Sequence, residues 1–318
     1  MLSLTSTLTK PRPGLATAPL RLLLLLFGLL SCFQATQNSA AFYGLAQFGF
    51  GALLLFAALA PLRQAVPVFA YALVTILFVR MRALADETSV AVQYDYPIAF
   101  EEIIFRGKIL NIWAQELLYV PGRIGPLDVA LATVYFSYFL APAVTSLFLW
   151  KVRPALFPRF AWALVLTLSI GLVAFFLVPT APPWLASDSG QLGTVHRVIP
   201  PFSAALAGNS YEKAAQAFDQ NAVAAMPSLH VALTVVIAAV LAQFGSRWKR
   251  AGVAYVVAMC VALIYLGEHY LIDELAGLAL GLAAWRMTRV SMRSRRDGTG
   301  TVGEHSPAPS EELSSASA

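Results

Sequence analysis

Apolar residues in this chain gather in long, nearly uncharged runs, not in the period-two alternation of a half-buried sheet. The runs cover roughly 19–36, 41–60, 65–79, 128–150, 160–178, 228–245, 251–270 and 271–290. A helix of about 20 residues crosses the hydrocarbon core of a bilayer, so each run predicts a membrane span. The first run has Lys10, Arg12 and Arg21 before or at its start and a Leu22–Leu26 core, the outline of a signal peptide. No convincing small-residue cleavage site follows Ala35, so it reads as an uncleaved first span. The stretch 86–120 breaks the pattern. Glu101, Glu102, Arg106, Lys108 and Glu116 are interleaved there with Ile, Phe, Leu and Trp113, which predicts an amphipathic helix at the membrane interface. From Asp297 onward the chain is Ser, Ala, Pro, Gly and Glu and has nothing to build a core from. The expected organisation is a disordered N-terminus at 1–18, N-terminal spans over 19–80, an interfacial segment at 81–127, a membrane core at 128–290 and a disordered cytoplasmic tail at 291–318.

Composition removes the soluble alternative. Only 12% of residues are charged and 58% are hydrophobic, against roughly a quarter charged in a soluble domain. The net charge of +5 does not point to nucleic acid, because the cations sit beside the apolar runs, where they record topology. Lys151, Arg153 and Arg159 separate two runs, Arg247, Lys249 and Arg250 separate two more, and Arg286, Arg289, Arg293, Arg295 and Arg296 follow the last. The positive-inside rule puts all three clusters in the cytoplasm. Arg80 and Arg82 do not fit, since eight spans place them outside. Cys32 and Cys260 both lie inside apolar runs and read as buried thiols.

With that orientation two short motifs meet at the opposite face. Ala225-Met226-Pro227-Ser228-Leu229-His230 opens one span, with Pro227 suited to an early helical position. Gly267-Glu268-His269-Tyr270-Leu271-Ile272-Asp273 closes one span and opens the next. Asp273 follows His269 by four residues, so a helical turn puts both on one side. A carboxylate there can hold the Nδ1 proton and leave Nε2 free as a nucleophile. His230, near a helix N-terminus, sits where unpaired N–H groups favour a phosphate. A lone histidine at a helix end is ordinarily a cap, and His-x-x-x-Asp arises by chance as a structural pair. Yet the chain has 4 histidines, and two of them converge with an acid at a membrane boundary, where ionisable groups tend to mark function. The three groups could also ligate a metal, but no Cys or further His adds to the set.

Both motifs resemble those of the type 2 phosphatidic acid phosphatase superfamily, whose second and third signatures read P-S-x-H and H-x-x-x-D. Ala-Ala-Met-Pro-Ser-Leu-His-Val-Ala with Asn221 just upstream is most similar to the branch of inositol phosphorylceramide synthases and inositolphosphotransferase-like proteins. His-Tyr-Leu-Ile-Asp is also similar to the matching motif of sphingomyelin synthases. The resemblance covers about 95–290, including Trp113, Gln115 and the loop Pro179–Trp184. It implies an all-α polytopic bundle with a six-helix core and about two extra N-terminal spans. It also implies that His269 attacks phosphorus, Asp273 orients it, and His230 protonates the leaving group and then activates water or an alcohol. Ser228, Asn221, Arg197 and Arg123 become candidate substrate-binding residues, with Lys213 a further cation. The implied partners are a lipid phosphate or phospholipid and membrane lipids, with no cofactor, metal or nucleic acid. Two features depart from the family pattern. The superfamily's first signature, a Lys and Arg-Pro clamp, is replaced by Pro-Thr-Ala-Pro-Pro-Trp, with Trp184 where a cation would help. Arg153-Pro154 lies on the cytoplasmic side and does not substitute. The Ser-Arg pair before the last histidine is replaced by Ala262 and Leu263. An inactive lipid-binding or scaffolding relative is the alternative this leaves open. Arg-over-Lys usage with abundant Ala and Leu suggests a bacterial plasma membrane.

Overall fold

The computed structural model describes residues 17–37, 41–82, 84, 89–207 and 222–297. Of the segments expected to be disordered, 1–18 and 291–318, residues 1–16 and 298–318 lie outside the described residues, while Ala18 opens one helix and 291–297 close another; the candidates Asn221 and Lys213 also lie outside the described residues. In chain order the helices are α1 (Ala18–Gln37), α2 (Ala41–Leu59), α3 (Leu62–Arg82), α4 (Asp95–Phe105), α5 (Leu110–Leu118) and α6 (Pro126–Val152). There follow α7 (Phe157–Leu177), α8 (Pro183–Asp188), α9 (Ile199–Ala207), α10 (Leu229–Leu241), α11 (Ser246–Tyr265) and α12 (Leu271–Asp297). The described residues contain no strand, only two isolated parallel bridges, Gln93 with Thr180 and Thr180 with Ala224.

Helices α1, α3, α6, α7 and α11 are long and apolar enough to cross a membrane, and Gln47–Leu59 and Leu229–Phe244 are shorter apolar helices. Their outer faces carry side chains such as Leu22, Leu26, Phe33, Val173 and Val257, each exposed, a surface that is stable only in lipid. The protein is an integral membrane protein built as an all-helical bundle. Helix α10 is buried nearly all round and, with α7, forms the centre of the main apolar cluster, as a helix without a polar face must. Helices α6, α7, α11 and α12 surround it, α3 packs on α7, and the α1–α2 hairpin packs outside against α6 and α3.

Chain direction puts two kinds of chemistry at opposite ends. Arg153 donates to the Gln243 carbonyl, and Arg159 donates to the Trp285 carbonyl at 2.8 Å while lying 3.6 Å from that ring's centroid. The three basic clusters therefore share one end. The α3 C-terminus is at the other, since Phe78 packs on Phe175 near the end of α7. Arg80 and Arg82, at the end of α3, thus lie at the end away from the basic clusters.

The single amphipathic helix expected over 86–120 is two helices. Arg106 and Gly107 both take positive φ, 55° and 83°, which no right-handed helix continues through. Their polarity is also distributed differently from a simple interfacial helix. Glu101, Asn111 and Gln115 are buried against the bundle, while Ile103, Ile104, Trp113 and Leu117 point outward.

Helix α12 approaches α10 through glycine. A Cβ on Gly277 would fall on the Ser228 carbonyl oxygen, and one on Gly281 on that of Ala232. Both obstacles are backbone and cannot swing aside. The spacing is the Gly-x-x-x-Gly used where membrane helices touch. Gly277→Ala should therefore cost about 1–3 kcal/mol through overpacking, visible as a lower unfolding temperature in detergent. An unchanged unfolding temperature would show that the two helices separate freely.

Candidate active site

Two helix N-termini converge at the end of the bundle opposite the basic clusters. Ser228 is the N-cap of α10, with its Oγ accepting the Val231 N–H at 3.4 Å. Its own N–H donates to the Asp273 carbonyl at 2.9 Å, tying the start of α10 to the start of α12. Ser228 is completely buried, so the work seen for it is capping and cross-linking. Pro227 does not occupy the early helical position expected from sequence. It precedes the N-cap, after a cis peptide bond with Met226. His230 is the second residue of α10, and its ring packs on Tyr135 and Tyr138 of α6, with centroids 4.7 and 4.2 Å away. Those two tyrosines, three apart and so on one helix face, fix the imidazole. Sequence reading passed over them as part of an apolar span.

The second motif begins where α11 stops. Gly267 has φ +78°, its N–H donates to Ile264, and the Glu268 N–H donates to Leu263. This is the Schellman pattern that closes a helix with a left-handed glycine. The next turn holds Glu268, His269 and Tyr270 outside any helix, and α12 starts at Leu271. His269 and Asp273 are therefore not neighbours on one helical face, as the spacing suggested. Asp273 reaches back instead, its Oδ2 accepting the Tyr270 N–H at 3.0 Å and lying 3.5 Å from His269 Nδ1. Closing that gap by about 0.5 Å makes a full hydrogen bond, and such contacts in unliganded sites commonly tighten when substrate binds. The His230 and His269 ring centroids are 5.7 Å apart, edge to face. His269 and Asp273 are both buried.

Three further side chains hold this turn; Gln115 is among the residues of the family resemblance, and for Glu101 and Asn111 polar character within the amphipathic stretch is the sequence signal. Glu101 of α4 is completely buried and accepts the N–H of Leu110, first in α5, and of Leu271, first in α12, each at 2.8 Å. One carboxylate thus caps two helices at once. Burial pushes its pKa up while those two N–H groups hold it down. Asn111 Nδ2 donates to the carbonyls of Ile264 and His269, and Gln115 Nε2 to those of Tyr265 and His196. Orphan carbonyls at the end of α11 are satisfied this way. Glu101→Ala should strand two buried N–H groups and cost about 2–4 kcal/mol. Unfolding temperature and residual turnover should fall together, and loss of turnover without destabilisation would contradict this role.

The loop at Pro179–Trp184 is pinned on both sides. Thr180 N–H donates to Val223, the Ala225 N–H to Thr180, and Gln93 exchanges bonds with Pro179 and Ala181. The loop has no cation of its own, but Arg197 lies over the Trp184 ring at 4.1 Å from its centroid. Arg197 also donates from Nε to Glu268 Oε1 at 3.0 Å. A guanidinium therefore stands beside the residue that precedes His269. Arg123, the other candidate, is exposed on the turn between α5 and α6 and no contact joins it to either histidine. Trp113 is exposed, whereas Phe202 is buried in packing against Phe136. Among the described residues no group of three or more His, Cys, Asp and Glu side chains is placed to hold a metal ion. Cys32 and Cys260 are free thiols.

Two histidines and a carboxylate thus meet at the start of two helices, opposite the basic end of a helical membrane bundle. The chain belongs to the PAP2 superfamily, whose family profile matches residues 113–287. It is 29% identical over 177 residues to the phosphoinositol dihydroceramide synthase of Bacteroides thetaiotaomicron, covering 50% of this chain and 54% of that protein. It is 22% identical over 259 residues to the inositol phosphorylceramide synthase catalytic subunit aur1 of Schizosaccharomyces pombe, covering 77% of this chain and 58% of that protein. The chain spans little more than half the length of either relative. No solved structure matches it.

Proposed function

We propose that the protein is a lipid phosphotransferase that moves an inositol phosphate headgroup between lipids through a phosphohistidine on His269. The observation that carries this reading is the facing pair of imidazoles, one of them backed by Asp273. In the first step the His269 Nε2 lone pair forms a bond to phosphorus, and the bond from phosphorus to the diacylglycerol oxygen breaks. The departing alkoxide takes its proton from the His230 imidazolium. In the second step neutral His230 removes the proton from an acceptor lipid hydroxyl, whose oxygen attacks phosphorus. The N–P electrons then return to His269. Charge building on the phosphoryl oxygens would face the N-termini of α10 and α12, and Arg197, held by the Glu268 that precedes His269, is the cation that would add to them on release. The names of the two relatives support inositol phosphate as the group moved and a ceramide-like alcohol as the acceptor. The family's phosphatases support water as the competing acceptor. The basic clusters at the far end, read by the positive-inside rule, support a site open to the non-cytoplasmic face.

Purified protein in detergent would be given phosphatidic acid, a prenyl diphosphate, phosphatidylinositol with ceramide, and phosphatidylinositol with diacylglycerol, with His269→Ala as control. The expected product is an inositol-phosphate-bearing sphingolipid that disappears in the variant. Free phosphate from phosphatidic acid in place of that lipid would make the protein a phosphatase. No product from any pair would favour an inactive relative.

A further inference from the structure

We propose that a groove along α11, lined by neither histidine, binds an anionic phospholipid of the leaflet at the basic end of the bundle. The groove has a volume of ≈ 770 Å³ and runs between Val253, Val257 and Val261 of α11 and Leu131 of α6, with Lys249 and Arg250 at one end. Its length fits one acyl chain. From Arg250 to Val261 the helix rises about 17 Å, close to the roughly 15 Å depth of one leaflet's hydrocarbon. Its charged end lies at headgroup level. Trp248, in the first turn of α11, is half exposed and its ring lies 6.3 Å from that of Phe148, the placement of an interfacial anchor.

Charge selects the ligand. Helix α11 carries Arg247, Lys249 and Arg250 and not one Asp or Glu, and Lys249 and Arg250 are both exposed. Basic recesses between membrane helices on the cytoplasmic side suit phosphate headgroups. The N–H groups of the helix's first turn point the same way. A second copy of the chain fits less well. In one membrane both copies share an orientation, so a two-fold contact through this face would bring Lys249 and Arg250 of each to the same depth, against each other. A phospholipid fills the apolar length and neutralises the cations together.

The test is native mass spectrometry of the full chain in the His269→Ala background, so that turnover cannot consume the probe. Dioleoyl phosphatidylglycerol, dioleoyl phosphatidylcholine and free glycerol phosphate would be added separately. Phosphatidylglycerol should be retained over phosphatidylcholine, and Lys249→Gln with Arg250→Gln should reduce that retention about 10- to 30-fold. Ala258→Trp, which fills the groove, should displace the lipid while both cations remain. Equal retention of the two lipids, or retention untouched by both sets of changes, would overturn the proposal. So would glycerol phosphate binding as tightly as the whole lipid, which would leave the groove no part. A dimer that Ala258→Trp dissociates, with no lipid released, would assign the groove to a second copy.

Discussion

Replacing His269 by Ala should lower turnover by ~10⁴-fold or more and leave the unfolding temperature almost unchanged. The asymmetry follows from how the residue is held. Its ring makes two contacts, the 3.5 Å approach of Nδ1 to Asp273 and the edge-to-face approach to His230. Its backbone position is set from elsewhere. Asn111 holds its carbonyl, the Gly267 turn precedes it, and Glu101 fixes Leu271 two residues on. Removing the imidazole therefore removes the proposed nucleophile from a loop whose backbone does not need it. Turnover on the preferred lipid pair and a thermal melt in the same detergent check both halves. A melt shifted as far as that of Glu101→Ala would show that the ring is a structural pillar.

The second large effect is expected at Asp273, and there the choice of substitution separates two roles. Asp273→Asn keeps an oxygen for the Tyr270 N–H, so the start of α12 stays capped. The same oxygen faces His269 Nδ1, so the change removes the negative charge behind that ring while an acceptor stays in place. The positive charge that the proposed attack by Nε2 builds on the imidazole then lacks its counter-ion. Turnover should fall on the order of 10³- to 10⁴-fold, the upper figure being that for an amide in place of the carboxylate that orients a catalytic histidine. Stability should hardly move. Asp273→Ala loses the cap as well and should cost about 1 kcal/mol of stability in addition. Equal turnover in Asp273→Asn and the parent protein would reduce the carboxylate to a cap.

The bundle was legible in the sequence because lipid imposes one rule on every span. Runs of about 20 apolar residues admit no reading but helices, and the eight read from sequence correspond to α1, α2, α3, α6, α7, α10, α11 and α12. The histidine motifs stood out because charged and titratable groups are scarce here. What stayed hidden depends on backbone geometry or on contacts distant in sequence. The break at Arg106 comes from two positive φ values that nothing in its composition requires. Glu101 looked like one of several interfacial charges, yet it is buried and caps a helix 170 residues further on. Gly277 and Gly281 were visible as letters, but only their approach to α10 shows that they set the spacing between the two motifs. Arg197 shows a further reason. Its place over Trp184 depends on how a loop folds back, which no local period encodes.

The central claim is a covalent bond between His269 and phosphorus. The direct measurement is to mix the protein with phosphatidylinositol labelled at phosphorus, without acceptor, and to quench in alkali, where phosphohistidine survives. Mapped peptides should then carry inositol phosphate on His269, with none in His269→Ala and release when the acceptor lipid is added. Transfer that proceeds at full rate with no label on His269 would contradict the account.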